Sequence, residues 1–434
     1  MMAVIGFSQG LVDMGISSAV IQSPTVSKTQ LSSLYWFNIF TGILIFFIVF
    51  AITPLVSAFF NIKALLQPLR YVSIIFIIAA IGNQYRILSQ KELKFKKITV
   101  IDVISTCLGT VVTLVAAKSG LGINAIVIGM IVQVSISSIA FLVIGLIHDH
   151  KPSVIYKHQE IKKFLYFGIH QTGGDTINYI TSQMDKILIG KILGLEALGF
   201  YNMAWQLTLF PLTKINPILN KVAFPIYSKV QNIPLKLSSY YQTTVKGLSL
   251  ITIPLLSFLC FFSYEIVITI LGPGWDLTSQ LVRTLSFVGI LKTMSNPGGP
   301  ILIAKGHPEV GFWWNLTWGI LLSFFLFLGL SIAPKVQTAP VILLICSLTF
   351  GGIWHYIIAK FGNIKYQKII FEFIKIMTVA FIIAFISHSC LMLTNIHQAV
   401  LKILFGCGIF LGIYIIYLIK FERTFIQQFG KGKN

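Results

Sequence analysis

The chain is 434 residues long, 56% hydrophobic and only 11% charged, with a mean hydropathy of +0.85. A soluble chain carries about twice that charged fraction, so the composition excludes a water-soluble globular protein and indicates a polytopic α-helical membrane protein. The formal net charge of +20 would suit a nucleic-acid binder, but the Lys and Arg residues sit mostly in short loops between apolar runs. There they set topology and meet anionic lipid, so membrane lipids are expected partners and nucleic acid is not.

Apolar runs, most of them long enough to cross a bilayer, predict helices at 3–20, 34–58, 69–88, 99–117, 122–147, 164–190, 197–222, 241–263, 279–303, 311–333, 339–359, 369–392 and 398–419, thirteen spans in all. The loops alternate in charge. One set holds 20 Lys and Arg residues, among them Arg86, Lys91, Lys94, Lys96, Lys97, Lys151 and Lys157, and the other holds only Lys63, Lys118, Lys191 and Lys335. The richer set is expected on the cytoplasmic side, and the C-terminus with it. All five cysteines fall inside predicted spans without metal-ligand or disulfide spacing, which reads as packing by small apolar side chains.

The chain also repeats itself. Gln67, Arg70, Ser73 and Asn83 return as Gln280, Arg283, Ser286 and Asn296, each 213 positions later, and Leu31-Ser32-Ser33-Leu34-Tyr35 returns as Leu237-Ser238-Ser239-Tyr240-Tyr241, 206 positions later. Two similar membrane-spanning halves are the pattern of a transporter whose pathway lies between them. The offset maps residue 1 onto Leu207, inside the second helix of the later half. The expected architecture is therefore all-α, with two six-helix lobes in a parallel pseudo-repeat and two C-terminal helices. The first helix is missing, so that 13 of 14 spans are present. The expected divisions are an N-terminal lobe at 1–147, a cytoplasmic linker at 148–163, a C-terminal lobe at 164–360, and extra helices with a tail at 361–434.

Charges inside a bilayer cost roughly 2.5–3.5 kcal/mol each on insertion scales, so polar residues within spans mark candidate sites. Asp175, Asn178, Tyr179, Ser182, Asp185 and Lys186 fall on one stripe of the sixth predicted helix, and Asn202, Gln206, Thr213, Asn216 and Asn220 on one face of the next, with Lys214 beside it. Such stripes either line a hydrophilic cavity or hydrogen-bond helices together. Lys292, one turn from Asn296, lies near mid-span, while Arg70 and Arg283 lie near helix ends, where they line a vestibule or snorkel to headgroups. Asp13 and Asp175 are the candidates for carrying a coupling cation. Gly298-Gly299 between Pro297 and Pro300 predicts a helix break. No paired carboxylates, metal-ligand cluster or phosphate-binding glycine loop can be read from the sequence, so neither an enzyme nor a resident cofactor is expected.

Several strings resemble the polysaccharide (Wzx-type) flippases of the multidrug/oligosaccharidyl-lipid/polysaccharide exporter superfamily, in its colanic acid and teichuronic acid exporter branch. They include Asp13-Met14-Gly15-Ile16, Leu34-Tyr35-Trp36-Phe37-Asn38, Gln90-Lys91-Glu92-Leu93-Lys94-Phe95, Asp185-Lys186-Ile187-Leu188-Ile189-Gly190, Leu198-Gly199-Phe200-Tyr201-Asn202 and Asn296-Pro297. The resemblance implies an inner-membrane protein that moves an undecaprenyl-diphosphate-linked oligosaccharide, driven by a proton or sodium gradient, beside a polysaccharide polymerase and glycosyltransferases. Alternatives are a cation-coupled multidrug antiporter of the same superfamily and a membrane polysaccharide polymerase.

Overall fold

The computed structural model describes residues 20, 23, 26–148, 151–394, 396 and 398–423, with the backbone alone at 148, 167, 169–178, 210, 211, 214, 216–222, 224, 225 and 308. It divides into two compact units, Met1–Gln183 and Met184–Asn434. Every regular element among the described residues is helical.

The first unit contains α1 (Lys28–Phe60), a 3-10 turn (Lys63–Leu65), α2 (Leu66–Lys91), α3 (Phe95–Lys118), α4 (Ile123–His148) and the greater part of α5 (His158–Ile192). α1 opens with a reciprocal cap, in which the Ser27 side chain accepts from the Gln30 N–H and the Gln30 side chain accepts from the Ser27 N–H. α1 packs on α2, and α4 packs on both α2 and α3. Each of these three seams holds a glycine. A Cβ on Gly42 would strike Ala80 and the Phe76 carbonyl, one on Gly82 the backbone of Ser138, and one on Gly109 the Gln133 side chain. Lipid gives helices no hydrophobic reason to associate, so close backbone approach of this kind supplies the packing. The connector after α4 is tied to the start of α1: Trp36 Nε1 donates to the Ser153 carbonyl at 2.9 Å, and the N–H groups of Ser153 and Lys157 donate to Ser32 and Ser33 Oγ at 3.1 and 3.0 Å. Thr29 Oγ1 donates to Glu160 at 2.6 Å. That bond, with Lys157 beside it, holds the Glu160 carboxyl below the usual carboxylate range.

The second unit holds α6 (Gly194–Val230), α7 (Pro234–Phe261), α8 (Ser263–Leu271), α9 (Asp276–Ser295), α10 (Gly298–Ala304), α11 (Pro308–Ile332), α12 (Thr338–Gly362), α13 (Tyr366–Met392) and α14 (Ala399–Phe421). Its core is one cluster in which α9 packs against α6, α7 and α12, while α13 packs on α7 and α14. The helix break predicted at Gly298-Gly299 is present: α9 ends at Ser295 and α10 begins at Gly298.

Twelve of the predicted spans fall on these helices, and the span at 3–20 lies outside the described residues save for Val20. Among the described residues nine helices are long and apolar enough to cross a membrane, and α5, α6 and α9 are not among those nine. Several charged residues assigned to loops need correction: Lys96, Lys97 and Lys118 belong to α3 and Lys191 to α5. Arg86 and Lys91 were counted with a loop but belong to α2, because that helix extends beyond its apolar stretch and Arg86 finds a carboxylate partner there.

The repeat is carried into the structure. α1 and α7 start at Lys28 and Pro234, the 206 offset, and α3 and α11 start at Phe95 and Pro308, the 213 offset. Gln67 and Gln280 are both exposed, as are Arg70 and Arg283; Ser73 and Ser286 are both buried. Packing is conserved by exchange. Tyr85 lies against Gly145, where a Cβ would collide with its ring, and the positions 213 later are Gly298 lying against Ile358.

Candidate functional site

α5 ends at Ile192 and α6 begins at Gly194, whose φ of +87° a side chain would strain, so the chain reverses in a tight turn. Asp185 and Tyr201 are equidistant from Leu193, and the reversal brings them together. Tyr201 donates its O–H to Asp185 Oδ2 at 2.7 Å, and the Lys186 N–H donates to Oδ1 at 2.8 Å. Asp185 is 6% exposed and Tyr201 fully buried, so the carboxylate has exchanged water for two fixed donors. The Lys186 ammonium sits 4.1 Å from the centre of the Trp205 ring, close enough for a cation–π contact. Lys292 of α9, partly buried, lies within electrostatic reach of both Asp185 and Lys186. Two lysines therefore lie near one carboxylate without a direct ion pair to it, drawn from α5 and α9.

Of the residues singled out from sequence, the structure brings Asp185, Lys186 and Lys292 into this one cluster. Asn202, partly buried, follows Tyr201, and Gln206, exposed, follows Trp205. Asn296 caps the end of α9 one turn beyond Lys292, with its N–H on the Lys292 carbonyl at 3.0 Å. Tyr179 is partly buried in the first unit. Arg70 and Arg283 are exposed in their own units, and the Arg70 guanidinium lies 4.9 Å from the Phe50 ring centre. Asp13 lies outside the described residues, and of Asp175, Asn178, Lys214 and Asn216 only the backbone is described.

Two ionic groups escaped the sequence reading. Arg86 and Asp102 form a bidentate pair at 3.0 and 2.7 Å between α2 and α3. In the second unit Lys246 of α7 bridges Glu372 of α13 at 3.0 Å and Glu422, just past α14, at 2.7 Å. Lys375 and the Tyr417 hydroxyl, each 3.3 Å away, reach the other Glu422 oxygen. The partners stand far apart in sequence, so no local spacing announces them.

The sequence matches the polysaccharide biosynthesis protein family over residues 1–280. The chain belongs to that family. It is 34% identical to the teichuronic acid biosynthesis protein TuaB of Bacillus subtilis (strain 168), over 77% of this chain and 68% of that one. It is 28% identical to the lipopolysaccharide biosynthesis protein WzxC of Escherichia coli (strain K12), over 73% of this chain and 64% of that one. Among solved structures the fold matches the lipid II flippase MurJ in an inward closed conformation, with a TM-score of 0.71 at 15% identity over 95% of this chain and 89% of that one. An inward-facing multidrug resistance MATE transporter of the MOP superfamily gives 0.65 at 14% identity, over 83% and 89%. The chain is thus a multi-pass membrane protein whose fold is shared with those two structures.

Proposed function

We propose that this protein is a flippase that carries an undecaprenyl-diphosphate-linked oligosaccharide repeat unit across the bacterial cytoplasmic membrane by alternating access, for surface polysaccharide synthesis. The observation that carries the reading is family membership at 34% identity to a teichuronic acid biosynthesis protein, on a fold that matches a lipid flippase. The physical problem suits the site. A diphosphate and its sugars cannot enter hydrocarbon unaided, whereas Lys186 and Lys292 around the single Asp185 offer a desolvated anion an excess positive charge. Asn202, Gln206 and Asn296, with Asn178 and Asn216, supply sugar hydrogen bonds. Lys214, Arg70 and Arg283 are further candidate cations for attracting the head group. In this scheme Asp13 or Asp175 carries a proton or sodium ion whose gradient drives the cycle. The C-terminus is cytoplasmic, and the lobes divide at the 148–163 linker. The polymerase and glycosyltransferases of the same pathway act on either side of the translocation step.

The test is complementation. Expressed in a bacterium deleted for its own repeat-unit flippase and supplied with the matching glycosyltransferases, the protein restores surface polysaccharide. Unchanged accumulation of lipid-linked repeat units inside the cell, with the protein present in the membrane, contradicts the reading.

A further inference from the structure

The first unit contains a second polar site. A groove of about 320 Å³ runs along α2, α3 and α4 and is lined by Asn83, Arg86, Asp102, Gln133, Ser137 and Phe141 among others. Three helix faces that should meet through apolar side chains instead present an amide, a guanidinium, a carboxylate, a second amide and a hydroxyl. Polar side chains inside a membrane bundle ordinarily mark a pathway or a ligand.

The internal repeat supplies the control. If the fold required this polar groove, the second unit would have it too. Advanced by 213 positions, Arg86, Asp102 and Phe141 become Gly299, Asn315 and Trp354. There Trp354 is 8% exposed and donates its indole N–H to the Ser295 carbonyl at 2.9 Å. Its ring lies 5.2 Å from that of Trp314. At the position equivalent to Phe141 the second unit places a buried indole against a second one, whereas the first unit has a polar groove.

We infer that this groove is a carbohydrate subsite that holds one sugar ring of the oligosaccharide; the inference rests on the flippase reading. Arg86 and Asp102 face each other through two parallel bonds, at 3.0 and 2.7 Å, which fixes both planes. The outward N–H groups of the guanidinium and the second lone pairs of the carboxylate remain to be used. A planar donor edge beside a planar acceptor edge suits vicinal hydroxyls, each of which both donates and accepts. Gln133 donates to Thr106 Oγ1 at 3.0 Å, which orients its carbonyl oxygen as a fixed acceptor. Phe141 is buried at the base of the groove, with the Arg86 guanidinium 5.7 Å from its ring centre, so the guanidinium rather than the ring faces the space. The volume is at the small end for ligand pockets, which run from about 300 to 1,000 Å³, and suits a monosaccharide rather than a whole repeat unit.

The experiment separates the subsite from the flippase reading. Repeat-unit oligosaccharide from the producing strain is prepared free and lipid-linked. Binding of the free sugar to detergent-purified protein is measured by calorimetry, and translocation of the lipid-linked form in proteoliposomes. Gln133→Leu removes an acceptor, and Phe141→Trp puts the second unit's indole at the base of the groove. Either variant, with its thermal midpoint unchanged, is expected to weaken free-sugar binding about tenfold or more and to slow translocation, whereas Gln133→Glu, which keeps an acceptor, retains binding. Wild-type binding by both Gln133→Leu and Phe141→Trp overturns the subsite even when translocation is robust. Binding that is lost in the variants of a wild type unable to translocate supports the subsite and sinks only the flippase reading.

Discussion

At the scale of single residues, the cluster around Asp185 behaves as a unit because its members satisfy one another. Tyr201→Phe removes a hydroxyl from a buried carboxylate and leaves the acceptor short. A loss of about 1–3 kcal/mol is expected, read as a lowered thermal midpoint in detergent. Lys292→Ala removes one of the two lysines near Asp185 and leaves its hydrogen bonds from Tyr201 and the Lys186 N–H in place. Transport of a diphosphate-linked substrate is expected to fall at least tenfold with membrane abundance unchanged, and full transport would show that the charge is not used. The stripe position of Asp185 and Lys186 was legible in the sequence because helical periodicity places them. Their pairing with Tyr201 and Trp205 was not, because it depends on the tight turn at Gly194 and on which way each side chain leans. The paired serines in the repeated string show the same division. Their recurrence was visible, but that Ser32 and Ser33 accept the N–H groups of the departing connector follows only from the fold.

At the scale of elements, the helix pattern was largely legible because long apolar runs leave the backbone no alternative to helix in lipid. Edges were less so: α2 runs on through Lys91, and a new helix begins at Ser263 where one span was expected to end. Ionic ties between helices were invisible to a reading based on spacing. The tie at Glu422 fastens the last helix to α7 and α13. Its side chain is 2% exposed and meets both Lys246 and Lys375. Burial alone would push this carboxyl up, but the hydrogen bonds and charges of Lys246 and then Lys375 outweigh it and hold it below the usual range. A carboxyl lowered on folding adds stability above its unfolded value of about 4.3 and loses it as pH falls through the lowered folded value. Acidification below about pH 4.3 should therefore depress the thermal midpoint of the wild type, and Glu422→Gln should lack that part of the dependence. At neutral pH the same substitution is expected to cost roughly 1–3 kcal/mol, since it strips a buried partner from two lysines. A wild-type midpoint at pH 7 would mean that the tie contributes nothing. In the first unit, Ser32→Ala with Ser33→Ala should free the connector at 151–157 for limited proteolysis.

At the scale of the whole molecule, duplication explains both what the halves share and where they differ. Helix starts, paired arginines and the Tyr85–Gly145 and Gly298–Ile358 exchanges preserve one packing scheme. Departures from it, the Arg86–Asp102 groove in one unit and the Lys246–Glu422 tie in the other, are where individual function is to be sought. The membrane class followed from composition; the polysaccharide biosynthesis family entered through resemblance and is shown by the family match, since no spacing in the chain spells it out. The most direct measurement is translocation of a labelled undecaprenyl-diphosphate-linked repeat unit in proteoliposomes, scored by the fraction that an impermeant lectin reaches over time. Protein-dependent acceleration, slowed by Lys292→Ala, is expected for the sugar-bearing lipid. Rates equal to those of empty liposomes, with folded protein present, would contradict the assignment.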